Sequence, residues 1–344
     1  MQDVEALLEE FRQNLDQIAT SLVVGFNLKH KREVESLSDP LLRWLDFRAR
    51  IIDPRPRQIH HSDQFPKTLD ERTARAMRML EDKISAGQDV NAYQGNGLLG
   101  FDFSGKRRGT RTDLMWADWD IHHLHLTDAP VRQGSSFSER ADFLLFSIVY
   151  ADAALFIDVV PHNQEAVFSR QELIEIVARN WPTVLERHQL KGTLIPSSEW
   201  TNKERHQLRK SGIEAPLIIG GKAYFAPGGG ITSASTSGKV TQLMMRLRRN
   251  VKDLAKQVLE PTGQFLSAIP EAVRRDGHFS LGLTPRGLAV IERQTNLGWT
   301  FPDAKYDGTD SQFAQISDCM TPPWVREAMK EAEARSVSSA KPNA

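Results

Sequence analysis

Residues able to move protons or bind a metal ion are concentrated in one stretch of the 344-residue chain. The stretch begins at 118–126 with Asp-Trp-Asp-Ile-His-His-Leu-His-Leu and continues through Arg140 and Asp158 to His162. An imidazole titrates near neutral pH, so it can accept or donate a proton, and in its neutral form it can bind a metal. The stretch therefore predicts a site for proton transfer or for a metal ion.

Two apolar runs within this stretch, at 143–150 and 154–160, are rich in residues that favour strands. Only Ala-Asp-Ala separates them, and so short a connection predicts a β-hairpin. With the histidine segment as a third strand, the expected structure is a small antiparallel sheet.

The alternation of side chains along a strand then sorts the candidate residues, because successive residues point to opposite faces. His123 and His125 should share one face, and His122 should lie on the other. Asp158 and His162 should share a face of the last strand. Two titratable pairs are thus expected on neighbouring strands.

The elements on either side predict an α+β fold. Apolar residues recur at helical spacing through 4–22, after Pro40 and over 68–86, and a further helix should follow the hairpin from about residue 169. Beyond residue 192 the pattern predicts short strands at 215–219 and 222–225, a helix over 240–258, and a second hairpin over 278–293.

These patterns suggest four consecutive regions. They are a helical amino-terminal region (1–95), a central antiparallel-sheet domain with flanking helices (96–190), a carboxy-terminal α+β module (191–335) and a disordered tail (336–344).

Composition limits the class of protein. Cys319 is the only cysteine, which excludes an intramolecular disulfide and fits a reducing compartment. The amino terminus is acidic and lacks the features of a signal peptide, and no apolar segment is long enough to span a bilayer. We therefore expect a cytoplasmic protein that is not embedded in a membrane.

The order of elements around the histidines resembles that of the RelE-like ribonuclease toxins. The resemblance covers about residues 70–185: a helical region, a strand with polar candidates, a strand led by Arg140-Ala-Asp-Phe-Leu-Leu-Phe, a tight turn, a strand ending in His162, and a helix. It is a likeness of order and pattern. This chain departs from those small basic toxins in its neutral charge, its two further regions and its histidine triplet.

The resemblance implies that RNA is cleaved without a metal or cofactor, through attack of the ribose 2′-OH on the neighbouring phosphorus. Such a reaction needs a base, an acid and a fixed cation. Under this hypothesis His125 or His123 is the base, His162 is the acid and Arg140 holds the phosphate. Asp158 completes the candidate catalytic set. The implied activity is that of an endoribonuclease of the toxin or phage-defence type.

A basic, glycine-containing loop precedes the histidine strand and would contact the RNA backbone, an interaction that weakens as salt rises. Its candidate RNA-binding residues are Lys106, Arg107, Arg108 and Arg111. Lys plus Arg and Asp plus Glu both number 44, so nucleic-acid binding must depend on local basic patches. RNA is the expected partner, and an antitoxin or other inhibitor protein is a second candidate.

The same residues could instead form a metal-dependent phosphodiesterase. His123 and His125 could bind one ion together with Asp158 or His162, and a metal-bound hydroxide would then attack the phosphodiester. No recognised metal-binding spacing accompanies them.

A role without catalysis also fits these residues. The three histidines could lie at the edge of a core, hydrogen-bonded to Asp118, Asp120 and the backbone. The chain would then be a binding module, with the carboxy-terminal region contacting nucleic acid or protein. A basic helix that carries Arg246, Arg248 and Arg249 is the candidate surface.

Overall fold

The computed structural model describes residues 3–164, 167–192, 200–211, 213, 216–274 and 277–339. Helices and three small sheets make up this part of the chain, so the predicted α+β class is confirmed. The helices are α1 (Val4–Gly25), α2 (Pro40–Arg50), α3 (Glu71–Ser85), α4 (Gly97–Gly100), α5 (Leu114–Trp119), α6 (Gln171–Asn180), α7 (Pro182–Glu186), α8 (Asn202–Lys210), α9 (Gly238–Val258), α10 (Gln264–Ala268), α11 (Glu271–Arg274), α12 (Gln312–Met320) and α13 (Pro323–Ser339). The strands are β1 (Gln58–His61), β2 (Ile121–His125), β3 (Phe143–Val149), β4 (Ala153–Pro161), β5 (Gln189–Leu190), β6 (Leu217–Ile219), β7 (Lys222–Tyr224), β8 (Phe279–Thr284), β9 (Gly287–Glu292) and β10 (Leu297–Thr300).

The chain divides into two compact units, each assembled from segments that are distant in sequence. One unit comprises residues 1–28, 39–48 and 242–344, and the other comprises residues 29–38 and 49–241. Each unit therefore combines segments from more than one of the consecutive regions that the sequence suggests. Helix α1 belongs with the carboxy-terminal strands, and α3 belongs with the histidine strand.

In the first unit, β8, β9 and β10 form an antiparallel sheet in the order β10-β9-β8. It contains the predicted second hairpin. Helix α1 packs against β8, where the Leu281 N–H donates to Asn14 Oδ1 at 2.8 Å. Helix α13 extends to Ser339, so a helix occupies the first part of the predicted tail, and residues 340–344 lie outside the described residues.

The second unit is built around a four-stranded sheet of order β1-β4-β3-β2. Strands β2, β3 and β4 are the three strands that the sequence predicts, and β3 pairs antiparallel with each of the other two. Strand β1 joins parallel to β4, so the sheet is mixed. Its sequence, Gln-Ile-His-His, follows a proline-rich segment and lacks an alternation of apolar residues, so the pattern alone indicates a linker there.

Each face of this sheet is covered by a helix. On one face, α6 packs Leu173 and Val177 against Leu144 and Phe146. On the other, α3 packs its buried residues against a second cluster, which includes Leu145. The sheet is therefore buried on both sides, and β2, at its edge, remains beside the surrounding loops.

A β-bulge in β4 decides the orientation of Asp158. Phe146 pairs with Asp158 and Ser147 pairs with Phe156, which leaves Ile157 without a partner in β3. A bulge shifts the alternation by one residue. As a result, Asp158 lies on the same face of the sheet as Phe146.

A small antiparallel sheet of order β5-β7-β6 lies in the same unit. Gly220 and Gly221 connect β6 to β7 with φ of +55° and +71°. Two successive positive φ angles form the hairpin turn that glycine favours, because other residues are strained in this conformation. The predicted turn is confirmed at these positions, whereas Ala215, at the start of the predicted strand, lies outside the described residues.

In the part of the chain that the structure describes, every helix is too short or too polar to cross a membrane.

Candidate active site

The pleat of β2 places His123 and His125 on the face that α6 covers, as the alternation predicts. His123 pairs with Phe146 and His125 pairs with Leu144 in the register of β2 and β3. His122 pairs with Ser147 on the opposite face and is buried. Both histidines on the α6 face are partly exposed, because β2 is an edge strand.

His162, at the end of β4, meets His125 and Arg140. The imidazole rings of His125 and His162 are stacked, with centroids 5.5 Å apart and planes at 22°. Nε and Nη2 of Arg140 lie 3.4 and 3.3 Å from His162 Nε2. Nη2 also lies 3.5 Å from His162 Nδ1, so the guanidinium approaches both ring nitrogens. Because a guanidinium can only donate, the ring nitrogen without a proton is the acceptor.

The electrostatics of this group favour neutral imidazoles. Burial lowers the pKa of His125 to about 4, with further lowering by His123, His162 and Arg140. Burial also lowers the pKa of His162, and the positive charge of Arg140 adds to this effect. At neutral pH both rings are therefore uncharged and the local positive charge belongs to Arg140.

The backbone fixes the tautomer of His125. Its Nδ1 accepts a hydrogen bond of 3.3 Å from the Ala141 N–H. The proton of the neutral ring must then lie on Nε2, which makes this nitrogen a donor. His125 is thus arranged to give a hydrogen bond and not to remove a proton.

His123 has the opposite arrangement. Its Nδ1 lies 3.3 Å from Oδ2 of Asp113, at an angle that leaves Nδ1 without a hydrogen bond. Nε2 faces Gly95, where an added Cβ would lie 3.6 Å away. With Nδ1 next to a carboxylate, Nε2 is the ring nitrogen that is open to a group beside Gly95.

Phe168 connects His123 to the pair formed by His125 and His162. Its ring centroid lies 4.8 Å from that of His123 and 6.4 Å from that of His162. One aromatic side chain thus contacts two of the three histidines, which brings them into one cluster.

A cavity of about 240 Å³ opens beside this cluster. It is lined by His122, His123 and Phe168, by residues of the segments 94–101 and 109–116, and by Arg50 and His206. The cavity is mainly apolar, with a few polar side chains such as Gln94 and Asp113. This composition is typical of small-molecule sites in proteins.

Asp158, the fifth candidate catalytic residue, is not joined to this cluster. Its Oδ1 accepts 2.8 Å from the N–H of Val159, and burial raises its pKa. Among the described residues, no hydrogen bond or ion pair connects its carboxylate to Arg140 or to a histidine. The cluster consists of His123, His125, Arg140 and His162.

The basic loop presents three of its four candidate residues to solvent. Lys106, Arg107 and Arg108 are exposed, and the first two line a groove together with Lys29 and Lys31. The groove also contains Glu33 and Asp102, so its charge is mixed. Three side chains of the loop are therefore accessible to a nucleic-acid backbone.

Arg111 requires a correction. Only 6% of it is exposed, its Nε donates 2.9 Å to Gly105 O, and its Nη1 donates to Ala234 O. Burial lowers its pKa. The guanidinium holds the loop in place from within, and its burial leaves it unsuited to contact RNA.

The aspartates at the start of the histidine stretch have partners other than histidine. Asp118 forms a buried ion pair with Arg209, and Asp120 forms a half-buried pair with Lys239. Of the non-catalytic interpretation, the expected hydrogen bonds from these two carboxylates to the histidines are not found among the described residues, whereas a backbone hydrogen bond to His125 is found.

Arg209 does more than neutralise Asp118. It donates 2.8 Å to Leu114 O and 3.0 Å to Phe168 O. One guanidinium from α8 therefore fixes the start of α5 and the backbone of Phe168. Through these bonds it determines where the Phe168 ring meets the histidines.

For the metal-dependent hypothesis, the necessary set of ligands is not assembled. In residues 3–164 and the other described ranges, no three His, Cys, Asp or Glu side chains are arranged to hold a metal ion.

The chain was compared with protein-family models, with curated proteins and with solved structures, and no match was found.

Sequence patterns did not reveal three residues of this site. Asp113 caps the amino end of α5 through its Oδ1, a common role that concealed the position of Oδ2 beside His123. Phe168 and Arg209 act through tertiary contacts, and neither has a spacing signal relative to the histidines. For Asp113, the one sequence feature that could have indicated a role in the site is its position as a carboxylate shortly before the histidine strand.

Proposed function

We propose that this protein is an endoribonuclease that cleaves RNA without a metal ion. The observation that carries the proposal is the cluster of His123, His125, His162 and Arg140 at one edge of the central sheet. In this cluster one imidazole is arranged to accept a proton, another to donate a hydrogen bond, and a guanidinium is exposed beside them.

The geometry supports His123 as the base, a choice that the sequence left open between His123 and His125. Nε2 of His123 is open to the space beside Gly95, whereas Nδ1 of His125 is occupied by the Ala141 N–H. His123 would take the proton of the 2′-OH as that oxygen attacks phosphorus. The products would be a 2′,3′-cyclic phosphate and a free 5′-OH.

His162 is the proposed acid and Arg140 the proposed phosphate clamp. In the free protein the positive charge of Arg140 helps keep His162 neutral. A phosphate bound to Arg140 would cancel that charge and favour the imidazolium, which then donates its proton to the departing 5′ oxygen. His125 would donate from Nε2 to a phosphoryl oxygen and stabilise the developing negative charge.

Lys106, Arg107 and Arg108 support the choice of a polyanionic substrate. They lie on the exposed surface of the loop that adjoins the cavity. Contacts of this kind are made to phosphates and carry no sequence information. They would hold the RNA backbone while the histidine cluster acts.

The toxin or phage-defence role, a cytoplasmic location and control by an inhibitor protein belong to the same proposal. They rest on the resemblance to the RelE-like toxins and on the single cysteine, Cys319, which is buried. Growth arrest on expression, relieved by changing His123, is the expected sign of this role.

The test is cleavage of end-labelled single-stranded RNA by the purified chain in excess EDTA. Removal of a general acid or base costs about 100-fold to 10,000-fold in rate, so His123→Ala and His162→Ala should each lose at least about 100-fold. A 2′-deoxy substitution at the cut site should abolish cleavage there. His60→Ala is a matched control, since His60 lies on β1 at the other edge of the same sheet.

The pH profiles give a second readout. Replacing His123, the base, should remove the fall in cleavage rate on the acidic side of the profile. Replacing His162, the acid, should remove the fall on the alkaline side. Cleavage that needs a divalent ion, or that survives both substitutions in the folded protein, would overturn the proposal.

A non-catalytic nucleic-acid-binding module is the second candidate, and the basic groove favours it. Lys29, Lys31, Lys106 and Arg107 all line this groove. Salt-dependent RNA binding with no cleavage, unchanged by the histidine substitutions, would select this function instead.

A further inference from the structure

The cavity beside His123 is next to the proposed catalytic cluster but is not needed to perform the proton transfers. It shares His123 and Phe168 with the cluster and reaches away from it to Phe101 and Trp116. Its volume, about 240 Å³, lies just below the range of typical ligand sites, which begins at about 300 Å³. The space suits one small ring system.

The lining of the cavity is aromatic and held in place. Arg50 donates to Gly97 O at 2.8 Å and to Leu98 O at 3.1 Å, and its guanidinium lies 5.4 Å from the centroid of Phe101. A Cβ at Gly97 would overlap the Phe101 ring, so only glycine allows the ring this position. The aromatic wall is thus formed before any ligand arrives.

Two polar side-chain atoms of residues that line the cavity are unpartnered. Thr112 Oγ1 and Trp116 Nε1 are buried atoms of lining residues and have no hydrogen-bond partner among the described residues. A buried donor or acceptor without a partner is costly, so such atoms are uncommon in folded proteins. The aromatic lining formed by Phe101, Trp116 and Phe168, with these two polar atoms in the same or neighbouring lining residues, favours a ligand that is flat, aromatic and polar at its edges.

The cavity also adjoins the basic groove. Phe101 and Gly109 line the cavity, and their neighbours in the chain, Gly100, Asp102 and Thr110, line the groove with Lys106 and Arg107. An RNA strand whose phosphates follow the groove would therefore carry a base to the mouth of the cavity.

We propose that the cavity binds one unpaired nucleobase of single-stranded RNA, next to the phosphate that is cleaved. Proteins that read single-stranded RNA stack splayed bases on aromatic side chains and bond their polar edges. A base held against Phe101 and Phe168 would set the position of the neighbouring ribose relative to His123. This inference rests on the proposed ribonuclease function, but the binding of a free nucleoside does not require catalysis.

The test measures binding of adenosine, guanosine, cytidine and uridine to the full chain by calorimetry, together with the tryptophan fluorescence of the chain, to which Trp116 contributes. At least one nucleoside should bind and change the fluorescence. Gly95→Leu should weaken its binding at least 10-fold, because the new side chain occupies the cavity beside His123. Phe101→Leu, a milder change, should weaken binding of the same nucleoside. Thermal unfolding shows whether each variant is folded.

The outcomes separate the two proposals. Arg140→Ala should leave nucleoside binding unchanged while it removes cleavage, since a nucleoside has no phosphate for Arg140 to hold. Nucleoside binding without any cleavage in the native chain would retain the base pocket and reject the ribonuclease. Absence of binding by all four nucleosides, or binding that both pocket variants leave unchanged while folded, would overturn the pocket.

Discussion

The imidazole of His125 lies against that of His162, with ring centroids 5.5 Å apart and planes inclined at 22°. The two rings come from β2 and β4, which are separated by β3 in the sheet. Protonating both would place two cations in contact, beside the guanidinium of Arg140. The arrangement is stable because both rings are neutral. A bound anion would offset the charge of Arg140 and so favour protonation of a ring.

The first prediction concerns the pKa of His162. Arg140 contributes to the lowering of this pKa, so Arg140→Met should raise it toward the ordinary imidazole value of about 6.5. Inorganic phosphate added to the native chain should also raise it, because the anion offsets the charge of Arg140. NMR titration of the histidine ring protons measures both shifts.

His188 is the control for this titration, because its pKa is lowered by burial and by Arg187 and not by Arg140. It should not respond to the substitution. An unchanged titration of His162 in saturating phosphate would contradict the role of Arg140 as the phosphate clamp.

The second prediction concerns stability against pH. Burial lowers the pKa of His122 to about 4 in the folded chain, whereas in the unfolded chain it should be about 6.5. Between these two pH values the unfolded state binds more protons than the folded state, so the free energy of unfolding should rise with pH. The contribution of His122 should reach its full size above about pH 6.5. The rise due to His122 is on the order of 3 kcal/mol.

Urea unfolding at pH 4.5 and pH 7 measures this difference. His122→Gln should reduce it while keeping a polar side chain at the position. His125, whose pKa also falls to about 4, should contribute in the same direction but less, since it is only partly buried. An equal difference in the native chain and in His122→Gln would show that His122 is not responsible.

Sequence patterns predicted the central sheet well because its signals are local. The two apolar runs and their short connection are enough to define β3 and β4, and the alternation along β2 gives the face of each histidine. The bulge at Ile157 and the strand β1 were not foreseen. Both depend on pairing with a distant segment, which short-range periodicity does not report.

The chemistry of the site was less predictable than its residues. Which nitrogen of His123 or His125 is free depends on Asp113 and on the Ala141 N–H, and neither contact is encoded in the spacing of histidines. Arg111 and Lys106 look alike in the sequence, yet one is buried and the other exposed. A side chain's environment comes from the tertiary structure, so residue types alone could nominate candidates but could not assign their roles.

The third prediction separates two basic surfaces. Reversing the charges of Lys106, Arg107 and Arg108 to Glu should weaken RNA binding and flatten its dependence on salt, since each lost phosphate contact reduces the slope. Reversing the same number of charges at Arg246, Arg248 and Arg249 should have little effect on either quantity. Fluorescence anisotropy with labelled RNA over a salt series provides both. The reverse pattern would favour a binding module centred on the carboxy-terminal helix.

The last prediction concerns the buried ion pair of Asp118 and Arg209, whose positions are 91 residues apart. Arg209→Met would leave a buried carboxylate without its cation, which should cost about 3 to 5 kcal/mol of unfolding free energy. Adding Asp118→Leu to it should recover much of that loss, because the unpaired charge is removed. Denaturant unfolding of both single variants and the double variant measures the coupling. Strictly additive losses would mean that the two side chains do not act as a pair.

The double variant should still cleave RNA more slowly than the native chain at a temperature where it is folded. Arg209 also donates a hydrogen bond of 3.0 Å to Phe168 O, and it thereby holds the ring that contacts His123.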